Sequence, residues 1–237
     1  MRRIPFAPVL AAALLGGGAS PAAAQHEAGA ALLVSDPRGE FDDHTDTGFG
    51  FGATYLYALV PSRAVAIGAT GSFLNYGRSE REVPLSTTIP DIRVEVETTN
   101  NIAFLQGVLQ LKAPGAVVQP YGQLTGGFGW FSTSTTLRDR QSDEPILSDT
   151  NQSDGTWVWG AGGGAQIRVW TGQPGAAGGS PSRAYVDLGA RWQTGGEVDY
   201  LTEGSLVTDD GEFDIDPRLV SSEIELVEYR IGVTVEF

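Results

Sequence analysis

Val227-Glu-Tyr-Arg-Ile-Gly-Val-Thr-Val-Glu-Phe237 is the stretch that decides the fold of this chain. Val227, Tyr229, Ile231, Val233, Val235 and Phe237 occupy every second position, and Glu228, Arg230, Gly232, Thr234 and Glu236 fill the gaps. A period of two puts the first set on one face of a β-strand and the second on the other. The polar set mixes charges of both signs with a glycine, whereas the apolar set ends in an aromatic ring with no polar tail behind it. Chain ends usually fray and carry polar residues, so this strand is expected to be held by a partner strand.

The same alternation recurs along the chain in segments of about ten residues or more, as half-buried strands require. Eight segments read this way: 28–35, 47–60, 64–76, 101–112, 117–132, 155–170, 184–195 and 224–237. After residue 25 no later run reaches the roughly eighteen apolar residues of a membrane helix. A chain of this kind crosses a membrane, if at all, with strands.

Both faces of these strands can be written down. The second segment sets Phe49, Phe51, Tyr55 and Tyr57 against Gly48, Gly50, Gly52 and Thr54. The sixth sets Trp157, Trp159, Ile167 and Val169 against Gly160, Gly162, Gln166 and Arg168; the seventh sets Val186, Leu188 and Trp192 against Asp187, Gly189 and Arg191. A soluble sheet turns a polar face to water and an apolar face to its core. Here the apolar face carries the aromatics, and the other face is glycine, small polar residues and paired signs of charge, which suits a narrow polar lumen inside a lipid-facing wall. Burying an unpaired charge is very costly, so Arg168, Arg191 and Arg230 are expected to pair inside with Asp187, Glu228 and Glu236. The runs Gly126-Gly127 and Gly162-Gly163-Gly164 are expected to allow sharp coiling and to make room for bulky lumen neighbours, since no helix follows them to form a ligand-cradling loop.

The connections alternate between short and long. Pro61-Ser-Arg63 and Ala113-Pro-Gly-Ala116 are tight, and 171–182 is rich in Gly and Pro, whereas 36–46, 77–100, 138–153 and 196–223 are long and hold most of the acid. Bacterial outer-membrane barrels have this asymmetry, with short periplasmic turns and longer extracellular loops. Eight strands then place both chain ends at the short-turn side.

At the start, Arg2 and Arg3 precede an apolar run from Pro5 to Leu15 and a small-residue stretch ending Ala22-Ala23-Ala24. That is the order of a secretory signal peptide, so residues 1–24 are expected to be removed and residues 25–237 to form one barrel domain. The chain has 15 Lys+Arg against 29 Asp+Glu, a balance that argues against nucleic acid as a partner. There is no cysteine, hence neither a disulfide nor a lipid-modified cysteine anchor.

Taken together, the signal peptide, the eight alternating strands and the terminal motif resemble the family of small outer-membrane β-barrels of the OmpA and OmpX type, over about Ala28 to Phe237. The resemblance implies an all-β fold, a closed antiparallel up-and-down eight-stranded transmembrane β-barrel in the cell outer membrane. It also implies that Tyr229, Ile231, Val233, Val235 and Phe237 present an assembly signal to the barrel-assembly machinery. Lipid and lipopolysaccharide are its expected surroundings, and a monomer its expected state. No cofactor is called for. Nothing follows Phe237, so a peptidoglycan-binding domain is not expected.

Three function classes follow from these residues. The first is a structural or surface-interaction protein acting in envelope integrity, adhesion or protection through its long loops, which are punctuated by Phe41, Ile89, Ile146, Tyr200, Leu206 and Phe213. The second is a small-solute channel or ligand-binding barrel, although eight strands enclose little more than their own side chains. A lipocalin-like ligand barrel would need the opposite pattern, apolar inside and polar outside. The third is a membrane-embedded lipid hydrolase, for which a histidine base is usual; only His26 and His44 exist, and His44 lies among carboxylates in Asp42-Asp-His-Thr-Asp46. Asp209-Asp-Gly-Glu-Phe-Asp-Ile-Asp216 offers oxygens of the kind Ca²⁺ takes, without the spacing of an EF-hand loop. The sequence reading therefore assigns no catalytic residue and no metal ligand.

Overall fold

The computed structural model describes residues 25–42, 45, 47–84, 93–113, 115, 117–139, 145–172, 181–201, 206–209, 212–215 and 219–237. The expected signal peptide, 1–24, lies outside them, as do His44 and Asp43, Asp46, Asp91, Asp143, Glu144, Glu203, Asp210 and Asp216 of the acidic connections.

Strands account for nearly all of it: β1 (His26–Pro37), β2 (Gly48–Ala58), β3 (Val65–Pro84), β4 (Arg93–Lys112), β5 (Val118–Asp139), β6 (Pro145–Thr171), β7 (Arg183–Leu201), β8 (Leu206–Asp209), β9 (Glu212–Ile215) and β10 (Leu219–Glu236). Eight of them close a barrel in the order β1-β10-β7-β6-β5-β4-β3-β2, every neighbour antiparallel, while β8 and β9 form a separate hairpin. The seam is the pairing of the first strand with the last, from Glu27 opposite Glu236 to Pro37 opposite Leu226. Beyond it the Phe237 amide donates to the His26 carbonyl at 2.9 Å. Closure leaves no sheet edge in the wall, which hydrocarbon demands because it offers the backbone no partner.

Alternation sets which side chains face out. On β10, Tyr229, Ile231 and Val233 are exposed, while Glu228, Thr234 and Glu236 are buried. Elsewhere the exposed set includes Leu32 at 69 %, Phe49 at 65 % and Trp157 at 67 %. An exterior of this kind would be an aggregation hazard in water and is what a lipid-embedded wall needs. All five tryptophans, Trp130, Trp157, Trp159, Trp170 and Trp192, lie on β5, β6 and β7 on the outward face.

Several strands run far past a membrane. A tilted strand crosses the hydrocarbon in about 9–11 residues, and β6 has 27, β5 has 22 and β3 and β4 have 20 each. The segments 77–100 and 138–153, read from sequence as long loops, are thus mostly strand: Val83 pairs with Val94, and Leu137 with Leu147. The physical reason is that the β-branched threonines of Ser132-Thr-Ser-Thr-Thr136 and Thr98-Thr99 favour extended backbone, while these stretches lack the apolar face that marks a strand in sequence. The acidic stretch 209–216 is likewise built around a hairpin, with Thr208 opposite Phe213.

Candidate functional site in the barrel interior

The interior is stacked in levels that the inward positions of each strand generate. At the short-turn end, Lys112, the last residue of β4, has its ammonium 2.6 Å from Glu27, 3.0 Å from the Gln166 amide oxygen and 3.4 Å from Glu236. The Gln166 amide in turn donates to Glu27 at 2.6 Å. Glu236 also receives Arg183 at 2.9 Å and pairs with Arg63. Arg63 is a non-glycine residue in the left-handed region (φ 58°), in the tight turn where its amide bonds the Val60 carbonyl. One cluster therefore ties β1, β4, β6, β7 and β10 and the first short turn into a floor.

At mid-height stand two ion pairs. Arg191 meets Glu228 at 2.8 Å with both side chains nearly fully buried, and Arg230 lies 3.6 Å from Asp187. Polar neighbours complete them. Tyr121 donates its hydroxyl to Asp187 at 2.7 Å and accepts from Arg230 Nε at 3.1 Å, and the Gln193 amide bridges from Glu228 to the Gln106 amide. Glycines give Tyr121 its room: a Cβ on Gly189 would stand 2.5 Å from the tyrosine oxygen and 2.9 Å from Arg230 Nε.

The long-loop end is different in kind. Leu74, Tyr76, Ile102, Phe131, Ile224 and Leu226 point inward and form an apolar cluster. Phe41 joins them from a single 3₁₀ turn, Gly39–Phe41, in the first long connection. Its ring stands 6.0 Å from Tyr76 and meets Phe131 edge-on at 6.2 Å. The expectation of a polar lumen is corrected here: among the described residues the level next to the ion pairs is oily, because its inward positions switch from charge to Leu, Ile, Tyr and Phe.

Between the polar levels lies a cavity of about 30 Å³, lined among others by Thr54, Thr70, Gln110, Gln166, Arg191 and Glu228. That is room for roughly two waters. Ser72 Oγ, Gln110 Nε2 and Arg191 Nε are buried without a hydrogen-bond partner.

The sequence-predicted residues fall as follows. Asp187, Arg191, Glu228 and Arg230 meet in the two mid-height pairs. Arg168 does not join them: it is half-buried beside a bulge between Arg168 and Trp170, and among the described residues it makes no ion pair. The bulge inserts an extra residue, which leaves Val169 and Trp170 both exposed, and Arg168 itself stands opposite Tyr185, one inward position nearer the short turns than Gln166 opposite Asp187, and so off the level of the pairs. Glu236 pairs with floor cations rather than with these arginines. Sequence reading missed the floor itself. Its trace was present, since the chain's sole lysine follows Gln106 and Gln110 at alternate positions of one strand. His26 sits on the outside, with Nδ1 2.6 Å from the Tyr55 hydroxyl. Among the described residues no group of His, Asp and Glu is arranged to hold a metal ion.

Residues 9–177 match the family described as outer membrane protein beta-barrel domain, which is more than two thirds of the chain. The chain belongs to this family. Its place is therefore the cell outer membrane, with the apolar outer face in lipid. No curated protein matches the sequence. Among solved structures, Neisserial surface protein A is similar at 12% identity and a TM-score of 0.44, covering 90% of this chain and 96% of that one. Ail, the attachment invasion locus protein of Yersinia pestis, solved with the heparin analogue sucrose octasulfate, is 14% identical with a TM-score of 0.38, covering 90% and 97%. The N-terminal β-barrel domain of Pseudomonas aeruginosa OprF is 10% identical with a TM-score of 0.36, covering 90% and 99%.

Proposed function

We propose that this outer-membrane barrel is an anchor whose long outer segments act at the cell surface, in envelope integrity, adhesion or protection. The observation that carries this reading is where the material and the charge lie. Strands β3 to β6 continue well past the membrane, and segments 36–46, 77–100, 138–153 and 196–223 hold 23 of the 29 acidic residues and seven of the 15 basic ones. Short turns face the periplasm in such barrels and long connections face outward, so the acidic segments meet the medium. The filled interior supports the reading from the other side, because among the described residues the floor and the ion pairs leave no open path for a nutrient-sized solute.

The test is genetic complementation with a folded barrel whose segments 77–100 and 196–223 are replaced by short turns. Cells lacking the protein are compared with cells carrying either form for detergent resistance, adhesion to matrix-coated surfaces and survival in serum. The full chain is expected to restore a phenotype that the shortened barrel does not. Full rescue by the shortened barrel contradicts the proposal.

We assign the chain no catalytic role, consistent with His26 lying on the exterior; His44→Ala is expected to leave lipid composition unchanged. The lipid-facing set Tyr229, Ile231, Val233, Val235 and Phe237 is proposed as the signal that the assembly machinery reads, with the folded barrel acting as a monomer. Deleting Phe237 is expected to leave unfolded protein in the periplasm. Wild-type insertion of the shortened chain would remove that role.

A further inference from the structure

We propose that Gln25 is a modification site: once residues 1–24 are removed, its α-amine closes on its own side-chain amide to give a neutral pyroglutamyl ring that caps the seam strand. This rests on the expected cleavage after Ala24 and is independent of the surface role proposed above.

Gln25 follows directly on Ala22-Ala23-Ala24, whose small residues have the order of a cleavage site. The structure holds the rest of the residue at the end of the wall. Its carbonyl accepts from the Ala58 amide at 2.8 Å, and its Oε1 accepts from the Tyr57 hydroxyl at 2.6 Å. The next residue, His26, begins β1 and pairs opposite Tyr57. Backbone and side chain of Gln25 are thus both tied to β2, and cleavage frees only its nitrogen.

The step balances within the one residue. The α-nitrogen bonds to Cδ, the Cδ–Nε2 bond breaks, and Nε2 leaves as ammonia with a proton taken from the α-nitrogen. Both reacting groups belong to one side chain and its own backbone, so no encounter with a second molecule is needed. Negative charge develops on Oε1 in the tetrahedral intermediate. The Tyr57 hydroxyl, already donating to that oxygen, is placed to stabilise it.

A charged end is poorly suited to this place. Tyr55 and Tyr57 are 46 % and 40 % exposed on the outward face, and the His26 ring stands 5.3 Å from that of Tyr57. Aromatic groups of this kind sit at the membrane interface. The acidic side chains nearby are already engaged, Glu27 with Lys112, and Glu236 with Lys112, Arg63 and Arg183. A new ammonium would therefore join a group of cations with no acidic side chain left to answer it, and a charge without a partner beside hydrocarbon is costly. Ring closure removes that charge.

Intact mass of the protein purified from outer membranes is the first measurement. The expected value is that of residues 25–237 less about 17 Da, the mass of the ammonia lost. The unreduced mass of 25–237 overturns the ring while upholding cleavage after Ala24; a chain that starts at another residue overturns both. The second measurement times the step without cells, on chains released from a fusion partner with Gln25 first and folded into phospholipid vesicles. Folded wild type is expected to lose ammonia about tenfold faster than folded Tyr57→Phe, a modest share of what a preorganised oxyanion donor supplies. The same advantage is expected over wild type held unfolded in urea, a comparison that needs no variant to fold. Equal rates in either comparison overturn the part assigned to Tyr57.

Discussion

Lys112→Met is expected to lower the unfolding free energy by about 3–5 kcal/mol, the usual cost of removing one partner from a buried ion pair. The size follows from who is left behind. Lys112 and Glu236 are almost wholly buried, and Glu27 nearly so. Without the ammonium, Glu236 keeps Arg63 and Arg183, but among the described contacts Glu27 keeps only the Gln166 amide. An ionised carboxylate in that position pays its desolvation with one neutral donor to offset it. The double variant Glu27→Gln with Lys112→Met removes both charges and is expected to recover much of the loss, because a pair replaced as a whole costs far less than a pair broken. Urea titration in lipid vesicles, read by the gel mobility of folded and unfolded forms, gives both numbers. A cost below about 1 kcal/mol for the single variant would place Lys112 in an exposed pair, contradicting the floor.

Leu124→Arg carries the second large effect, an expected loss of about 2–4 kcal/mol, as for a cation on the lipid face at mid-depth. Leu124 is 58 % exposed and pairs with Leu109 on β4 and Ala161 on β6, midway along the apolar part of β5. Trp157→Arg, near the long-loop rim of the apolar wall, is expected to cost about 0–1 kcal/mol in its charge term, since the penalty falls towards the interface. The contrast between the two sites matters more than either value. On a water-facing wall both cations would be tolerated equally.

How much of this was legible in the sequence depends on whether a residue's role is set by its own strand or by another. The face of every wall residue follows from a period of two, so Ile231 and Glu228 were assigned by counting. A closed barrel requires the last strand to return to the first, and the cost of an unpaired charge required Arg191 and Arg230 to meet acid inside without saying which arginine meets which carboxylate. The floor was harder, because Lys112, Glu27 and Glu236 are 85 and 124 residues apart along the chain and meet only through barrel closure. Phe41 was harder still. It stands in an acidic connection with no period at all, and its burial depends on apolar residues contributed by several strands. Arg168 shows the converse failure: alternation gives a residue's face but not its height, and Arg168 stands opposite Tyr185, below the level of the pairs. The outer strands were hidden by composition, since Thr and Ser alternate without an oily face and read as loop.

The central claim, that the apolar face meets lipid and the charged face fills the lumen, is tested most directly by the chain's own fluorescence. All five tryptophans project outward, Trp130 and Trp157 near the long-loop rim and Trp170 near the short-turn rim. In vesicles of lipids brominated along the acyl chain, the protein is expected to lose most of its tryptophan emission, more with bromine placed near the headgroup than at the bilayer centre, as aromatic girdles at two interfaces require. Emission unaffected by brominated lipid in a protein that runs as a compact folded band would mean that these rings do not face lipid, and would contradict the barrel's inside-out assignment.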